Sequence, residues 1–516
     1  MEESNKGWIV NVALTPPSLK DNTADADRLL SGLKNKLKAE VIIDDLNLIK
    51  KIPFLLRQFN YSATCVLFKE RSQYILVEIK DPRAVSTIGG IAVDLGTTRI
   101  ALRLTDLISR KTLTEISFDN PQIVIGPDIL TRIHFADEFG GLEVLTDAVI
   151  QKLNHKIDEI CRSCNIVPED IYLFSLAGNT AMTHLFLGLD PHYIIREPYI
   201  PVINRPGIFY AKDIGIKTNP FARAFIFPCS GSYFGGDLIS GILYSGINDK
   251  DETSILVDVG TNAEVAVGNK NWLIACAGAA GPALESGATK IGMTAGPGVV
   301  DRVKIDPNTL ELKFHVIADK APVGICGSGL IDLTAELFTS GMIDIRGKFK
   351  PSVCRERLFE KDGLRYLTVV PESMSGTGSV LAISQADIDS LIRSKAAMFT
   401  ILETVTNTVG IPFSELSSFY VAGAFGSLIN PESAITIGMM PDIPLERYKS
   451  LGNSSLEGAT LILFGEEHLH RIDAIRDNVT YLELNVNQDF MNRFSAAKFI
   501  PHTDPSLFPG IKEGSS

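Results

Sequence analysis

The hydrophobic positions of this chain occur as short apolar runs separated by longer amphipathic stretches. Two of the runs are near copies, IAVDL at 91–95 and ILVDV at 255–259, and each is followed by Gly-Thr. Runs rich in β-branched residues predict buried strands, and a glycine directly after them predicts a tight turn. A second apolar run follows at 100–104 and at 264–268. The pattern therefore predicts two β-hairpins, each with an Asp beside its turn.

A second pair of similar segments lies at 171–180 and 418–426, where an apolar strand pattern runs into Ala-Gly. Each follows a stretch with helical periodicity, at 144–164 and 385–409. The chain thus predicts one unit of hairpin, helix, strand and turn that occurs twice, with about 307–384 inserted into the second copy. Units of this βαβ type favour a mainly parallel sheet covered by helices, with the ligand in the cleft between the halves.

The first 86 residues predict a small α+β domain that carries no visible chemistry. Strands are expected at 63–69 and 74–80, and Asn22 is expected to cap the first helix. The second predicted helix contains Pro53, which is expected to interrupt it. The predicted domains are therefore this α+β domain at 1–86, a first lobe at 87–250 and a second lobe at 251–516.

Composition narrows the classes of function. The chain has 516 residues, 45% hydrophobic and 21% charged, which is the composition of a globular protein with a large core. A net charge of −12 argues against a nucleic-acid partner, which needs a basic surface. No apolar run reaches the roughly 18 residues that span a bilayer, and the first residues lack the features of a signal peptide, so we expect no membrane partner. Seven scattered cysteines fit reduced thiols in the cytoplasm.

Asp94 and Asp258, the acidic residues of the two hairpins, are the candidate catalytic residues. Backbone N–H groups of a glycine turn can face an anion. Two such turns in a duplicated domain suggest that one polyphosphate is bound by both turns. Acidic side chains beside phosphates can hold Mg²⁺, usually through water, and either Asp can orient the attacking water. The Gly-x-x-x-x-Gly-Lys-Ser/Thr motif, the commoner route to ATP, does not occur in the chain. For both residues the alternative is an aspartate that only caps a turn or helix.

These hairpins, together with the late glycine turn AGAFG at 422–426, resemble the superfamily of acetate and sugar kinases, heat-shock chaperones and actin. The resemblance implies an α/β, duplicated actin-like (ribonuclease H-like) ATPase fold with two lobes around a nucleotide cleft. The implied phosphate-1 turn is Asp94, Gly96, Thr97 and Thr98. The implied phosphate-2 turn is Asp258, Gly260, Thr261 and Asn262. The implied adenosine turn is Gly423, Ala424, Phe425 and Gly426.

Two further segments are candidates for the nucleotide site. Asn179 and Thr180 lie at a strand–helix junction that mirrors the adenosine turn, so they either line the cleft or cap a helix. Cys326 precedes a glycine-rich turn whose backbone amides are expected to face the nucleotide. The residues of that turn are Gly327, Ser328 and Gly329. Related activators in the superfamily hold an iron–sulfur cluster between two subunits with cysteines in a similar turn; the alternative is that Cys326 packs beneath the turn.

Three longer motifs, AGPALESG at 280–287, GICGSGLID at 324–332 and GNSSLEGA at 452–459, resemble the reductive activators of corrinoid proteins. The resemblance runs from about residue 10 to residue 509. Members of this group are ATPases that return an oxidised Co(II) corrinoid to the methyl-accepting Co(I) state. The resemblance implies ATP and Mg²⁺ as cofactors and a corrinoid protein as the partner, and a homodimer is a further expectation.

Members of this group usually begin with a ferredoxin-like domain whose [2Fe–2S] cluster is held by four cysteines. The first cysteine here is Cys65, alone in a predicted strand. We therefore expect no iron–sulfur cluster within this chain and a separate ferredoxin-like protein as the electron donor. Cys161 and Cys164 form a C-x-x-C pair without a second pair at metal-ligand spacing, so unpaired thiols are expected. The alternatives to an activator are a small-molecule kinase of the same fold and a chaperone-like ATPase without a redox role.

Overall fold

The computed structural model describes residues 7–70, 72–83, 87–232, 234–260, 263–278, 289–423, 426–482, 484 and 488–511. The chain forms two compact units. The first unit comprises Met1–Tyr244 with Ser454–Asp477, and the second comprises Ser245–Asn453 with Asn478–Ser516. The chain therefore leaves the first unit after Tyr244 and returns to it at Ser454. The domain boundaries predicted at 86 and 250 remain a prediction.

The first unit begins with a small sheet and two helices. Its elements are β1 (Ile9–Ala13), α1 (Asp25–Leu37), β2 (Glu40–Ile42), α2 (Leu46–Gln58), β3 (Ser62–Glu70) and β4 (Gln73–Lys80). The strand order is β1-β3-β4-β2. The prediction that Asn22 caps α1 is wrong, since the N-cap residue is Ala24. Asp21 pairs with Arg28 (2.6 Å), and this ion pair holds the turn that precedes the helix.

The second helix of this region is continuous. Pro53 lies inside α2, so the prediction that it interrupts the helix is wrong. Leu48, Ile52 and Leu56 are buried along one face of α2. This packing offsets the hydrogen bond that Pro53 cannot donate, because tertiary burial supplies most of the stability of a short helix.

A six-stranded sheet with order β7-β6-β5-β8-β10-β9 follows in the chain. Its strands are β5 (Gly89–Leu95), β6 (Arg99–Asp106), β7 (Lys111–Asp119), β8 (Ile171–Gly178), β9 (Gly207–Tyr210) and β10 (Arg223–Ile226). The helices of this part are α3 (Ile129–Ala136), α4 (Gly141–Ser163), α5 (Thr180–Leu187) and α6 (Gly236–Ser245). β8 is buried along its whole length, as its nearly continuous apolar sequence predicts.

The remaining elements include a second six-stranded sheet and an insertion. The strands are β11 (Ser254–Val259), β12 (Ala263–Asn269), β13 (Trp272–Gly278), β14 (Val299–Ile305), β15 (Leu312–Val316), β16 (Gly324–Ile325), β17 (Leu358–Lys361), β18 (Leu364–Val370), β19 (Leu381–Ser384), β20 (Ser418–Ala422), β21 (Tyr448–Gly452) and β22 (Val479–Tyr481). The helices are α7 (Gly327–Thr339), α8 (Pro351–Cys354), α9 (Gln385–Thr408), α10 (Pro431–Thr436), α11 (Ser454–Ile462), α12 (Glu467–Asn478) and α13 (Gln488–Ala497). The insertion carries the small sheets β15-β14-β16 and β17-β18-β19. It therefore starts before the predicted residue 307.

The two large sheets share one strand order. The second is β21-β20-β11-β12-β13-β22, so β13-β12-β11-β20 corresponds to β7-β6-β5-β8. This correspondence confirms the duplication that the repeated hairpins predict. The sheets are mixed rather than mainly parallel, since parallel pairings such as β5 with β8 and β11 with β20 stand beside antiparallel ones. β5, β6 and β7 pair antiparallel, as do β11, β12 and β13, because short turns join them and a short turn reverses the strand direction.

The long helices follow the apolar periodicity of the sequence. α4 buries Leu145, Val149, Leu153 and Ile157, which recur every four residues and form one stripe on the helix. The N-cap residue of α9 is Ser384, whose side chain accepts a hydrogen bond from the Asp387 N–H in a capping box. Among the described residues, no helix combines the length and the apolar character that crossing a membrane requires.

Candidate functional site

The turn between β5 and β6 is tight because of Gly96. A Cβ atom at Gly96 would collide with the carbonyl oxygen of Arg99, so only glycine fits between the two strands. Asp94 pairs with Ala177 of β8 and is half-buried, whereas Thr98 is exposed at the tip of the turn. The local sequence thus places a carboxylate directly before a bend that has little room for side chains.

The carbonyl groups of this turn accept hydrogen bonds from two residues outside the turn, Asn120 and Arg132. The Asn120 side-chain amide donates to the Gly96 oxygen (2.9 Å), and the Asn120 N–H donates to the Thr98 oxygen (2.8 Å). Arg132 Nη2 donates to the oxygen of Thr97 (2.8 Å). In a trans peptide the N–H of the next residue points opposite to the carbonyl. The N–H groups that follow these carbonyl groups therefore point away from Asn120 and Arg132.

Arg132 places a positive charge behind the turn. Its side chain is fully buried, and Nε donates to the Gly126 carbonyl oxygen (2.8 Å) while Nη1 donates to Gln122 Oε1 (3.3 Å). Burial lowers the pKa of Arg132 to about 10, so the guanidinium is still protonated at neutral pH. A buried cation bonded to carbonyl oxygens favours an anion on the other side of the turn.

Asn179 caps a helix, as one of the two sequence-based alternatives predicts, and it also bonds to the Gly96–Thr98 turn. Its Oδ1 accepts from the Met182 N–H (2.9 Å), which caps α5, and its Nδ2 donates to Thr97 Oγ1 (3.0 Å) in the turn. Thr180 is buried, and its hydroxyl donates to the carbonyl oxygen of Gly231 (3.0 Å). Asn179 therefore lies at the turn, while the hydroxyl of Thr180 is bonded within the fold. Their binding of a nucleotide stays a prediction.

Asp237, in the first turn of α6, is a carboxylate that lies outside the predicted motifs. Burial and the nearby Asp94 carboxylate raise the pKa of Asp237 to about 7. A Cβ at Gly235 would collide with Asp237 Oδ1 and with the Asn179 backbone, so glycine allows this close approach. The sequence signal was Gly-Gly-Asp ahead of an apolar helical stretch, residues 235–237.

The Asp94 and Asp237 pair fits a magnesium ion. Two neighbouring carboxylates supply the hard oxygen ligands that Mg²⁺ prefers, and Mg²⁺ keeps part of its water shell. Repulsion between the Asp94 and Asp237 carboxylates contributes to the raised pKa of Asp237. A divalent cation bound by both carboxylates would offset this repulsion. The donor chemistry of these two residues thus matches the cation that accompanies a nucleotide.

The second unit carries the corresponding hairpin at Asp258. Asp258 lies opposite Glu264 in the β11–β12 register, so two carboxylates share one face of the hairpin. Gly423 adopts φ +88°, and a Cβ there would lie 2.7 Å from Asp258 Oδ1 and 2.6 Å from the Val259 oxygen. Gly260 is exposed in the turn after β11. The predicted residues Thr261, Asn262, Ala424 and Phe425 lie outside the described residues.

The glycine-rich turn at the start of α7 packs against other residues of the fold. Gly329 contacts the Val300 carbonyl oxygen so closely that a Cβ would lie 2.6 Å from it, and Ser328 Oγ donates to the Asp301 oxygen (3.3 Å). Cys326 is buried with its Sγ 3.2 Å from Ser328 Oγ. Gly327 is buried as well. That these residues face a nucleotide stays a prediction. The role of Gly426 at the adenosine also stays a prediction; a Cβ atom at Gly426 would lie 2.9 Å from the Val421 side chain.

The cysteines are free thiols in this structure. Six of them are buried and Cys164 is half-buried, and burial raises the pKa of the Cys161 thiol to about 12. Within the described residues, no three His, Cys, Asp or Glu side chains form a group that could hold a metal ion. A buried thiol of this kind is unreactive at neutral pH.

Replacing Gly423 by alanine is expected to weaken nucleotide binding about tenfold, since the new methyl group would displace the Asp258 carboxylate. Gly410→Ala is the matched control for the left-handed backbone, because Gly410 also has a positive φ (+68°) but no described atom within 4 Å of its Cβ position. Gly410→Ala should lose about 1 kcal/mol of stability. Gly423→Ala should lose more, because its methyl group also meets the Val259 carbonyl oxygen. Titration with a fluorescent ATP analogue measures the affinities, and equal affinities of the two variants would contradict a role for the Asp258–Gly423 contact.

Comparison with protein families identifies three consecutive regions. The RACo linker region matches residues 6–83, and the RACo middle region matches residues 89–250. The C-terminal domain of RACo, the ASKHA domain, matches residues 252–512. Together these matches extend over nearly the whole chain.

Individual relatives point the same way. The corrinoid activation enzyme RamQ of Eubacterium limosum is 31% identical over 415 residues, which cover 79% of this chain and 69% of RamQ. The [Co(II) methylated amine-specific corrinoid protein] reductase of Methanosarcina barkeri is 23% identical over 441 residues, or 78% of this chain and 75% of that protein. A solved structure of a reductive activator for corrinoid, iron–sulfur protein is 37% identical, with a TM-score of 0.89, and the match covers 99% of this chain and 82% of that one.

Proposed function

Because this chain belongs to the RACo family of reductive activators of corrinoid proteins, we propose that it activates a corrinoid protein by supporting reduction of Co(II) to Co(I) in a reaction driven by ATP. The family match confirms the resemblance and the actin-like α/β fold class that the motifs predict. The relatives with assigned roles are corrinoid activation enzymes, so the kinase and the chaperone-like alternatives are not favoured.

The observation that carries the nucleotide part of the proposal is the turn at Gly96–Thr98. Its three carbonyl oxygens accept hydrogen bonds from Asn120 and Arg132, so its N–H groups point away from these two residues and are proposed to bind phosphate. Such a turn suits the phosphates of ATP, which need several N–H donors and no bulky side chains. The Asp258 turn of the second unit is proposed to bind phosphate as well.

The carboxylates are proposed to hold the metal and to orient the attacking water. Asp94 and Asp237 would bind Mg²⁺, which, when bound, supplies positive charge to the phosphate oxygens. Either Asp94 or Asp258 would orient the attacking water. Gly423 allows a ribose or base to approach the backbone of β20 closely.

The corrinoid part of the proposal concerns the partner and the electron. One electron passes from a separate iron–sulfur protein to Co(II), which becomes Co(I), while ATP and water become ADP and phosphate. ATP can support this unfavourable reduction only if the nucleotide-bound protein has a different affinity for the two states of its partner. The ATP-bound activator would therefore bind the Co(I) state of its partner more tightly, relative to the Co(II) state, than the nucleotide-free activator does.

An anaerobic reduction assay tests the proposal. The purified chain is mixed with a Co(II) corrinoid protein and a reduced ferredoxin, and the Co(I) absorption band is followed with and without ATP. Co(I) should accumulate with ATP and not without it, and phosphate release should accompany it. Co(I) formation at the same rate without ATP would contradict the proposal. Phosphate transfer to a metabolite instead of water would favour the kinase.

A further inference from the structure

The first residues of α11 contact Asp94 directly. Ser455 is 3% exposed, and its Oγ donates to Asp94 Oδ1 (2.8 Å). Its backbone oxygen accepts from Ser240 Oγ of α6 (2.6 Å). Ser455 is the second residue after the chain returns to the first unit at Ser454. The hydroxyl is thus held between α6 and the carboxylate next to the phosphate-1 turn.

An ion pair fixes α11 on the sheet. Arg103 of β6 makes a bidentate pair with Glu457, with Nη2 2.6 Å from Oε1 and Nη1 2.8 Å from Oε2. The same guanidinium binds Glu115 of β7 (2.8 Å), and its side chain is largely buried. A bidentate pair between planar groups restricts orientation as well as distance. Since β6 is the neighbour of β5, this pair holds α11 in register with Asp94.

Gly458 brings α11 close to α6. A Cβ at Gly458 would collide with the Ser240 carbonyl oxygen, so a larger residue would separate the two helices. α6 carries Asp237 in its first turn, one turn before Ser240. The start of α11 therefore contacts three parts of the fold: Asp94, strand β6 and helix α6. Asp94 and Asp237 of α6 are the carboxylate pair described above.

We infer that Ser455 is a positioning residue, whose hydroxyl orients the Asp94 carboxylate so that the nucleotide and its metal ion meet it in one fixed rotamer. The inference rests on the proposed function, because it assigns Asp94 to the nucleotide site. Ser455 acts through Asp94, and the Arg103–Glu457 pair and Gly458 hold Ser455 in place. A hydrogen bond from a hydroxyl to a charged carboxylate is stronger than one between neutral groups.

The neighbouring serine is a matched control. Ser454 is 0% exposed, and its hydroxyl has no hydrogen-bond partner among the residues that the structure describes. Ser454→Ala therefore removes the same atom from the same helix end without removing a hydrogen bond, and Ser455→Thr keeps the hydroxyl while adding only a methyl group. The four proteins to compare are the wild type, Ser454→Ala, Ser455→Ala and Ser455→Thr.

Two measurements on these proteins decide the inference. The first is kcat and KM for ATP, and the second is the rise in melting temperature caused by ADP with Mg²⁺. Ser455→Ala should lower kcat/KM about tenfold, equivalent to about 1.4 kcal/mol, and should reduce the rise in melting temperature. Ser454→Ala should match the wild type in both, and Ser455→Thr should recover most of the loss.

The outcomes separate this inference from the proposed function. A wild type that neither hydrolyses ATP nor is stabilised by ADP with Mg²⁺ would overturn the proposed function. An active wild type with equal values for Ser455→Ala and Ser454→Ala would overturn the role of Ser455 alone. A Ser455→Ala protein with a lowered melting temperature but an unchanged response to nucleotide would also overturn it, because Ser455 would then serve only stability.

Discussion

Asp258→Ala is expected to reduce ATP hydrolysis about 100-fold or more while leaving the fold intact. Removal of one preorganised group at a reacting phosphate has effects of this size. Stability should change little, because Asp258 is half-buried and shares its hairpin face with Glu264, so its removal relieves repulsion between like charges. Phosphate release at saturating ATP measures the first effect, and thermal melting measures the second.

Asp251→Ala is the control for this prediction. Asp251 belongs to the same unit and forms an exposed ion pair with Lys270 (2.6 Å), and a pair of this kind contributes little. Its loss should leave hydrolysis at the wild-type rate. Near-normal turnover by Asp258→Ala would count against the assignment of the second hairpin as a phosphate turn. A large loss of melting temperature in the same variant would indicate a structural aspartate.

Arg132→Met should destabilise the first unit by about 3 kcal/mol or more. The substitution keeps much of the side-chain volume but removes the donors to the Thr97 and Gly126 carbonyl oxygens, and Gln122 Oε1 also loses a donor. Each buried polar group left without a partner costs about 1–3 kcal/mol. Nucleotide affinity should fall as well, because the peptide groups of the turn are no longer held and the charge behind them is lost. Urea unfolding followed by circular dichroism measures the destabilisation.

Arg99→Met provides the matched comparison, since Arg99 borders the same turn but is exposed. Its ion pair with Asp119 (3.4 Å) lies at the surface, and we expect a change of less than about 0.5 kcal/mol. Equal destabilisation by the two variants would argue against a special role of the buried guanidinium. Arg132→Lys should be intermediate, because a lysine keeps the charge but cannot reproduce the fork of donors.

The orientation of the peptide groups in the turn at Gly96–Thr98 depends on residues that are far away in sequence. The Asp-Gly-Thr pattern predicts a bend, but a bend can point its N–H groups in any direction. Asn120 and Arg132 bond the carbonyl oxygens and thereby select one direction. No local pattern around these two residues marks them as partners of the turn, because Asn120 follows β7 and Arg132 lies in α3, which packs against α4 and α5.

Several expectations stay predictions for this chain. They are the separate ferredoxin-like electron donor, the homodimer, the cytoplasmic location and the absence of an iron–sulfur cluster. The roles of Thr98, Gly260 and Gly426 at a nucleotide also stay predictions. The roles of these three residues depend on a bound nucleotide, and the local sequence around them specifies only a turn.

The sequence by itself determined the strands β5, β8, β11 and β20, the helices α4 and α9, and the glycine turns that follow the Asp residues. These features follow from short-range periodicity and from the conformational freedom of glycine. The family membership was equally readable, because three long motifs, at 280–287, 324–332 and 452–459, resemble those of the family. Only the tertiary structure decided that the sheets are mixed, that Asp237 joins Asp94, and that Ser455 donates to Asp94 across the sequence. Such pairings join segments far apart in the chain, and they depend on packing that no local pattern encodes.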